Sequence, residues 1–507
     1  MGQSPNRRLG LSLTFALMSS MGLLAPAIAT DQPPYDRMDA DTALVVTTLT
    51  ALPTGTAEAW WQSAARVLPF PLPPLADTGL KLTEPWAAHT IGIWPMAHWP
   101  VQDQTKLTQW LDTLPDFSQR SIGSTQFKWR PTPTWMANSG IAIHHDERWL
   151  SVAWVADEAH LLRRVTHLDR PEQAFNPQSL HDRIENTEFD GHVVARLQPE
   201  RLANRWPEPL CQGELARLAA VWPELLVGTT EAGPDRATLK WLATVAPALA
   251  EPLQRLGGGH PSLEPDHPEL QGHSASIGLA ADVTASRDAG LALAQFWLAH
   301  DWQCRHLAAY TPILQRLQQL LNRPIPPLFT ALYGARLRLD QVEPLDASAA
   351  VYLHNPSFVI GLMQLLSPPL AALDLRPGGS PQRLPHDTIP GLPERPIALL
   401  SSDSALAIGL GDAAIDRLPD AVRSRRGDPT LLRLRLRDQT WLQALMRLPA
   451  SLRPMDPDLW QDLWPWTDVG AALSVEENQI VLRTALAWPS PTRNPTRHYP
   501  RAENATE

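Results

Sequence analysis

Proline is the feature that most limits what this chain can build. It accounts for 51 of 507 residues, about twice the usual ~5%. Each proline fixes φ and removes a backbone donor, so regular elements are cut short and turns multiply. Stability has to come from a core, because two cysteines cannot supply a disulfide framework. A hydrophobic fraction of 44% with 19% charged residues excludes disorder as the overall state. A chain of this length is expected to hold two or more domains.

The recurring unit is a short apolar strand that runs directly into an amphipathic helix. Residues 43–49, 149–154 and 192–197 are strands of this kind, followed by helices through Trp60 and Trp61, over 157–168 and over 199–206. Residues 349–353, 405–410 and 430–437 repeat the order, with helices over 356–366, 412–422 and 438–448. Asp157 and Asp412 each stand where an acidic residue favours a helix start. The matching order predicts an internal duplication. Elsewhere strands follow strands with only turns between them, as at 127–130, 141–144 and 149–154. That mixture favours an α+β fold of two related tandem domains, each a mostly antiparallel sheet with helices packed on one face.

The expected boundaries are a signal peptide at 1–29, a first domain at 31–235, a helix and a Gly/Pro/His-rich linker at 236–273, a second domain at 274–488 and a disordered tail at 489–507. Within the second domain, 275–283 reads as strand and 287–310 as a long helix. Residues 469–475 and 480–486 read as a β-hairpin around Glu476-Glu477-Asn478-Gln479.

Residues 1–29 have a basic start at Arg7-Arg8, an apolar run from Leu9 to Leu24 and an Ala27-Ile28-Ala29 cleavage motif. The residues around Arg7-Arg8 match a twin-arginine signal poorly, which favours the general secretory route. The mature chain is therefore expected to be periplasmic or secreted. It has no cysteine for a lipid anchor at the cleavage site and no later apolar run of transmembrane length. Removing Arg7 and Arg8 takes the net charge from −10 to −12, which repels nucleic-acid backbones and anionic membranes. The basic clusters Arg336/Arg338, Arg423/Arg425/Arg426 and Arg433/Arg435/Arg437 are the only counter-candidates. In the last of these, arginines alternate with leucines, the pattern of a half-solvated strand. No nucleic-acid partner is expected, and an envelope protein or glycan is the class of partner that fits.

Chemistry-bearing patterns are sparse. His260, Glu264, Asp266, His267, Glu269 and His273 crowd one loop with metal-ligand types, but they match no zinc signature, and three prolines among them suit a solvated loop equally well. His300 and His306 are six apart, which does not place them on one helix face. His144-His145-Asp146-Glu147 reads as a hairpin turn between two strands. Gly272-His273-Ser274-Ala275-Ser276 lacks the second glycine of a nucleophile elbow, and no dinucleotide or phosphate-binding glycine loop is present. No catalytic, cofactor-binding or metal residue is therefore assigned. Of the 20 tryptophans, ten cluster at Trp60/Trp61, Trp86/Trp94/Trp99, Trp129/Trp135 and Trp460/Trp464/Trp466. They fit core packing beside proline-rich turns better than an exposed stacking groove. Cys211 and Cys304 either form one long-loop disulfide or stay apart.

The strand at Asp39–Val46, the helix at 103–114 leading to Phe127-Lys128-Trp129, and the strand–helix unit from Trp149 together give a layout that resembles a family of exported bacterial proteins classed only as a domain of unknown function. The resemblance covers most of the mature chain at the level of pattern. It implies an exported α+β protein with no assigned reaction. The function expected is a non-enzymatic binding or scaffolding module of the cell envelope, and the alternative is a periplasmic hydrolase acting on envelope glycan or peptide.

Overall fold

The computed structural model describes residues 34–49, 57–58, 61, 72–132, 138–190, 192–206, 208–233, 236–257, 261–262, 275–280, 282–341, 344–385, 395–422, 425–426, 430–437 and 468–487. The expected signal peptide, the disordered tail, the helix at 438–448 and most of the Gly/Pro/His-rich linker lie outside the described residues. The first ten strands are β1 (Leu44–Thr47), β2 (Ala87–Ile91), β3 (Trp94–Pro100), β4 (Ser118–Ile122), β5 (Thr125–Pro131), β6 (Ser139–His145), β7 (Trp149–Ala156), β8 (Val194–Leu197), β9 (Glu224–Ala232) and β10 (Arg236–Thr244). A two-residue β11 (Pro261–Ser262) precedes β12 (Ala275–Ala280), β13 (Leu332–Gln341), β14 (Asp346–Leu353), β15 (Gln382–Arg383), β16 (Ile397–Ser401) and β17 (Ala405–Leu410). The last four are β18 (Arg425–Arg426), β19 (Thr430–Arg437), β20 (Asp468–Glu476) and β21 (Gln479–Ala487).

Nineteen of these strands form one antiparallel sheet, and β11 pairs separately with β18. Outward from the β10–β21 pair, one side runs β10-β9-β8-β1-β2-β3-β7-β6-β5-β4. The other side runs β21-β20-β19-β12-β13-β14-β17-β16-β15. The first eight strands on each side follow the same order of chain connections. β10 and β21 pair over their full length, with Arg236 opposite Ala487, Lys240 opposite Arg483 and Thr244 opposite Gln479. The first half and the second half thus share a single sheet. Residues 236–244, expected to open a linker, are the strand that joins them. Their run Thr238-Leu-Lys-Trp-Leu-Ala-Thr244 has the β-branched and aromatic content of a strand.

Helices pack on both faces of this sheet, which corrects the expectation of one covered face. Neighbouring strand residues point to opposite faces. Met96 packs with Ala153, Leu161, Leu162 and Val165, bringing in the helix Ala159–Val165. Ala97 packs with Leu107, Trp110 and Leu111 of the helix Gln104–Asp112. In the second half, Ala407 clusters with Ile415 and Leu418, whereas Leu406 clusters with Val359 and Ile360 of the helix Pro356–Leu366. Strands covered twice carry near-continuous apolar runs, and all five residues of β2 and of β16 are buried. Asp103 starts the helix over Gln104–Asp112 by accepting from the Thr105 and Lys106 amides.

The middle of the second half departs from this scheme. Ile277, Leu279, Leu337 and Val351 are 36–54% exposed, while Arg336, Arg338 and Asp340 on the opposite face of β13 are buried. The Arg338 Nε donates to Asp340 Oδ1 at 2.8 Å, and Arg417 donates to the same oxygen at 2.7 Å. Arg336 and Arg338 are therefore interior ionic groups and not a surface for nucleic acid. In β1, at the corresponding place in the strand order, Leu44 and Val46 are buried in the cluster that contains Leu107, Trp110 and Leu111.

Cys211, on the helix Pro209–Val221, is bonded to Cys304, which stands just before the helix Arg305–Ala308. Of the two arrangements left open by the sequence, the chain adopts the long-loop disulfide, across a separation of 93 residues. Trp297, Trp302 and Leu307 pack around it. The buried Glu214 carboxylate accepts from the Gln303 and Cys304 amides at 2.6 and 2.8 Å. The long helix expected over 287–310 is two pieces, Val283–Leu298 and Arg305–Ala308.

Candidate functional site

The densest group of titratable side chains lies in the first half, where β2, β3 and β7 place His89, His98 and Ser151 on one face. Cross-strand pairing sets this: Ala87 is opposite His98, and His98 is opposite Ser151. His89 Nε2 and His98 Nε2 are 3.2 Å apart, and His98 Nδ1 is 2.8 Å from Ser151 Oγ. Ser151 Oγ is in turn 2.9 Å from His167 Nε2. His89, His98 and Ser151 are buried.

The outer end of this chain is half-buried. His167 follows the helix Ala159–Val165 with φ +59°. Its amide donates to the Arg164 carbonyl and the Leu168 amide donates to the Arg163 carbonyl, the hydrogen-bond pattern of a left-handed helix end that glycine usually occupies. A histidine there brings its ring against Ser151 of β7. Asp146, in the β6–β7 turn, uses Oδ1 to accept from the Arg148 and Trp149 amides. That leaves Oδ2 to accept from the Arg37 guanidinium at 2.8 Å. The other Arg37 nitrogen is 2.7 Å from His167 Nδ1. The sequence reading of residues 144–147 as a hairpin turn holds for Asp146 and Glu147, whereas His144 and His145 are the last paired residues of β6. What it could not see is that the turn aims Asp146 at residues 109 positions upstream. His144 stands edge-on to the His167 ring, with centroids 5.3 Å apart.

Both His167 ring nitrogens have partners: Arg37 stands 2.7 Å from Nδ1 and 3.0 Å from Nε2, Asp146 Oδ2 is 3.4 Å from Nδ1 and Ser151 Oγ is 2.9 Å from Nε2. The chain from Asp146 through His167, Ser151 and His98 to His89 is therefore continuous, with the proton positions set by the histidine tautomers.

Electrostatics keep the rings neutral. Burial pushes His89 down to about 3, helped by the positive Arg164. Burial also holds His98 well below the ordinary histidine value, with His89 and His167 adding to it. It takes His144 to about 4 and lowers His167. For Asp146 burial works upward, but the His167 hydrogen bond, the Arg148 amide and Arg37 outweigh it, so its carboxyl titrates below the usual range.

Asp146, His167 and Ser151 include the side-chain types of a hydrolytic triad, with His167 Nδ1 3.4 Å from Asp146 Oδ2. A nucleophilic serine faces the substrate, whereas Ser151 is buried between His167 Nε2 and His98 Nδ1.

Among the described residues no group of three or more His, Cys, Asp or Glu is placed to hold a metal ion. His260, Glu264, Asp266, His267, Glu269 and His273 lie outside the described residues. His300 Nδ1 is bonded to the Phe296 carbonyl at 3.0 Å and its ring packs on Trp302. The side chain of His306 lies outside the described residues. Trp61, Trp86, Trp99, Trp110, Trp129, Trp149, Trp297 and Trp302 are buried, in keeping with tryptophan as core filler. Trp60, Trp135, Trp460, Trp464 and Trp466 lie outside the described residues. The histidine chain escaped sequence reading because its members are scattered from residue 37 to residue 167. The one local signal was histidine within otherwise apolar strands, at Ala87-Ala-His-Thr-Ile91 and Met96-Ala-His-Trp99.

No protein-family model and no curated protein matches the chain. Among solved structures, crystal form III of TP0453 is similar at a TM-score of 0.28 and 7% identity, over 47% of this chain and 92% of that one. Crystal form IV of TP0453 gives 0.27 and 7% over 48% and 90%. Likeness of that size carries no argument about this protein.

Proposed function

We propose that this chain is an exported, non-enzymatic binding or scaffolding module of the cell envelope, built from two related α+β halves. The observation that carries it is Ser151: the single triad-like constellation among the described residues buries its serine between two histidines. Export is supported by the signal-like first 29 residues and by the Cys211–Cys304 bond, which suits an oxidising compartment. No helix among the described residues is long and apolar enough to cross a membrane. Duplication is supported by the matching order of eight strands on either side of the β10–β21 pair.

The expected result with a serine-directed fluorophosphonate probe is no labelling of the folded protein. Stoichiometric labelling at Ser151 would establish the hydrolase instead.

The contact surface we assign is the strip of Ile277, Leu279, Leu337 and Val351, exposed among the described residues, and its occupant is an amphipathic helix of a partner envelope protein. The first half supplies the template, since the corresponding strands are covered there by Leu107, Trp110 and Leu111 of a helix. A photo-crosslinking side chain at position 337 is expected to capture one such helix in exporting cells, and Ile277→Asp is expected to abolish that adduct without unfolding the protein. A crosslink pattern indifferent to Ile277→Asp would remove the assignment.

A further inference from the structure

One helix of the second half has an apolar outer face that its counterpart in the first half does not have. The helices Gln104–Asp112 and Pro356–Leu366 follow the corresponding strands β3 and β14. Each is started by a side chain that accepts from the amide three residues on: Asp103 from Lys106 at 3.0 Å, Asn355 from Phe358 at 3.2 Å. The caps align the two helices residue for residue. Leu107 then coincides with Val359, and both are buried. Lys106 coincides with Phe358, and Thr113, just past its helix, with Leu365.

The exposed residues of the first helix are all polar or charged: Gln104, Thr105, Lys106, Thr108, Gln109 and Asp112. In the second, Phe358 is 56% exposed, Leu365 81% and Leu366 75%. Its inner residues Val359 and Ile360 are buried on the sheet. The helix is thus apolar on both sides, the pattern of one that is buried all round. Its Gln364 turns back and donates to the Leu373 carbonyl at 2.9 Å. No ionisable residue occurs from Asn355 to Leu373, and Asp374 and Arg376, just beyond, pair with each other at 2.7 Å. Phe329, 52% exposed, lies two residues before Ala331, whose carbonyl accepts from the His354 amide at the foot of this helix.

We infer that this face inserts shallowly into the surface of a zwitterionic phospholipid bilayer. Area and charge select that occupant. Phe329, Phe358, Leu365 and Leu366 are half to four-fifths exposed. At roughly 200 Å² for a large side chain, they fall short of the about 800 Å² per partner that a stable protein–protein interface buries. A bilayer demands no matching shape, and its hydrocarbon accepts a face without charge, the sheet standing where an interfacial helix usually has its polar side. The helix has 11 residues, about 16 Å of rise against an apolar core of about 30 Å, so it lies in the plane of the interface. A net charge of −10 disfavours anionic lipid, and the paired Asp374 and Arg376 add no net charge at the rim.

The test is co-sedimentation of the full chain with phosphatidylcholine vesicles. Reversible binding is expected, and it should hold from about 0.1 M to about 1 M salt because no ionic contact contributes. Leu365→Ser with Leu366→Ser is expected to weaken it at least about tenfold, the effect of withdrawing two large apolar side chains from hydrocarbon. Leu210→Ser, at a residue 65% exposed in the first half, should leave it unchanged. A nitrobenzoxadiazole label on Leu365→Cys should shift to shorter wavelength on the vesicles, and the same label on Leu210→Cys should not. Absence of binding, binding that requires phosphatidylglycerol, or binding indifferent to the double serine replacement overturns the assignment. So does a dimer in solution that the double replacement dissociates, which would give this face to a second copy of the chain.

Discussion

Acidification from pH 6.5 to pH 4 is expected to strip stability from the protein steeply, and the histidine chain is expected to be a main cause. The sign follows from linkage. A histidine held neutral in the fold binds fewer protons than the same histidine in the unfolded chain, so stability falls as pH falls through the unfolded value near 6.5. For His89 the window runs from 6.5 down to about 3, and for His144 down to about 4. His98 and His167 titrate in the same sense. Each such site takes away about 1.4 kcal/mol per pH unit within its window. Asp146 does not oppose this: its depressed carboxyl contributes stability that persists above the ordinary aspartate range and is lost only in stronger acid. Urea unfolding followed by tryptophan fluorescence at a series of pH values should show the trend. His89→Phe should lower the slope by about 1.4 kcal/mol per pH unit whatever it does to absolute stability. A midpoint that stays level from pH 6.5 to pH 4 would show that these rings are charged or solvated in the native protein.

Replacing Cys211 and Cys304 together by alanine is expected to cost about 2–4 kcal/mol. The bond closes a loop of 93 residues, long enough to restrict the unfolded chain severely. It also links the connection between β8 and β9 to the connection between β12 and β13, and so ties the two halves at a second place beyond the β10–β21 pair. Reduction of the unaltered protein should shift its urea midpoint by the same amount as the double replacement, and reductant should then have no effect on the replaced protein. Because Glu214 caps the Gln303 and Cys304 amides independently, the local loop should keep its shape, and the loss should be global. An unchanged midpoint under reductant would mean that the cross-link contributes nothing to stability.

Much of this fold was legible because its strands carry their own signals. The alternation from Thr430 to Arg437 became β19, residue for residue, and the hairpin around Glu477 and Asn478 became β20 and β21. The helix at 356–366, led by Asn355, also fell where expected. The pairing of strands was not legible. Nothing local in Thr238–Thr244 says that its second neighbour is Gln479–Ala487, because that choice is made by the whole sheet. The interior of β13 misled for a related reason. Arg336 and Arg338 stood as a candidate basic patch, yet they are buried, and Arg338 is paired with Asp340, a partner visible only after folding. The histidine chain was hidden likewise. A turn was recognised at 144–147, of which His144 and His145 proved to be strand residues, but the cluster also depends on a helix end at His167 and a short 3-10 turn at Arg37.

The β10–β21 pair also bears on how the protein comes into being. Chain growth completes β1 to β10 long before the residues of β21 exist, so the nascent first half carries an unsatisfied nine-residue ribbon of amides and carbonyls. Such a ribbon templates association with any other extended segment nearby. The newly made polypeptide therefore passes through a period in which a second nascent copy competes with its own last strand, and a holding chaperone would be of most use during that interval.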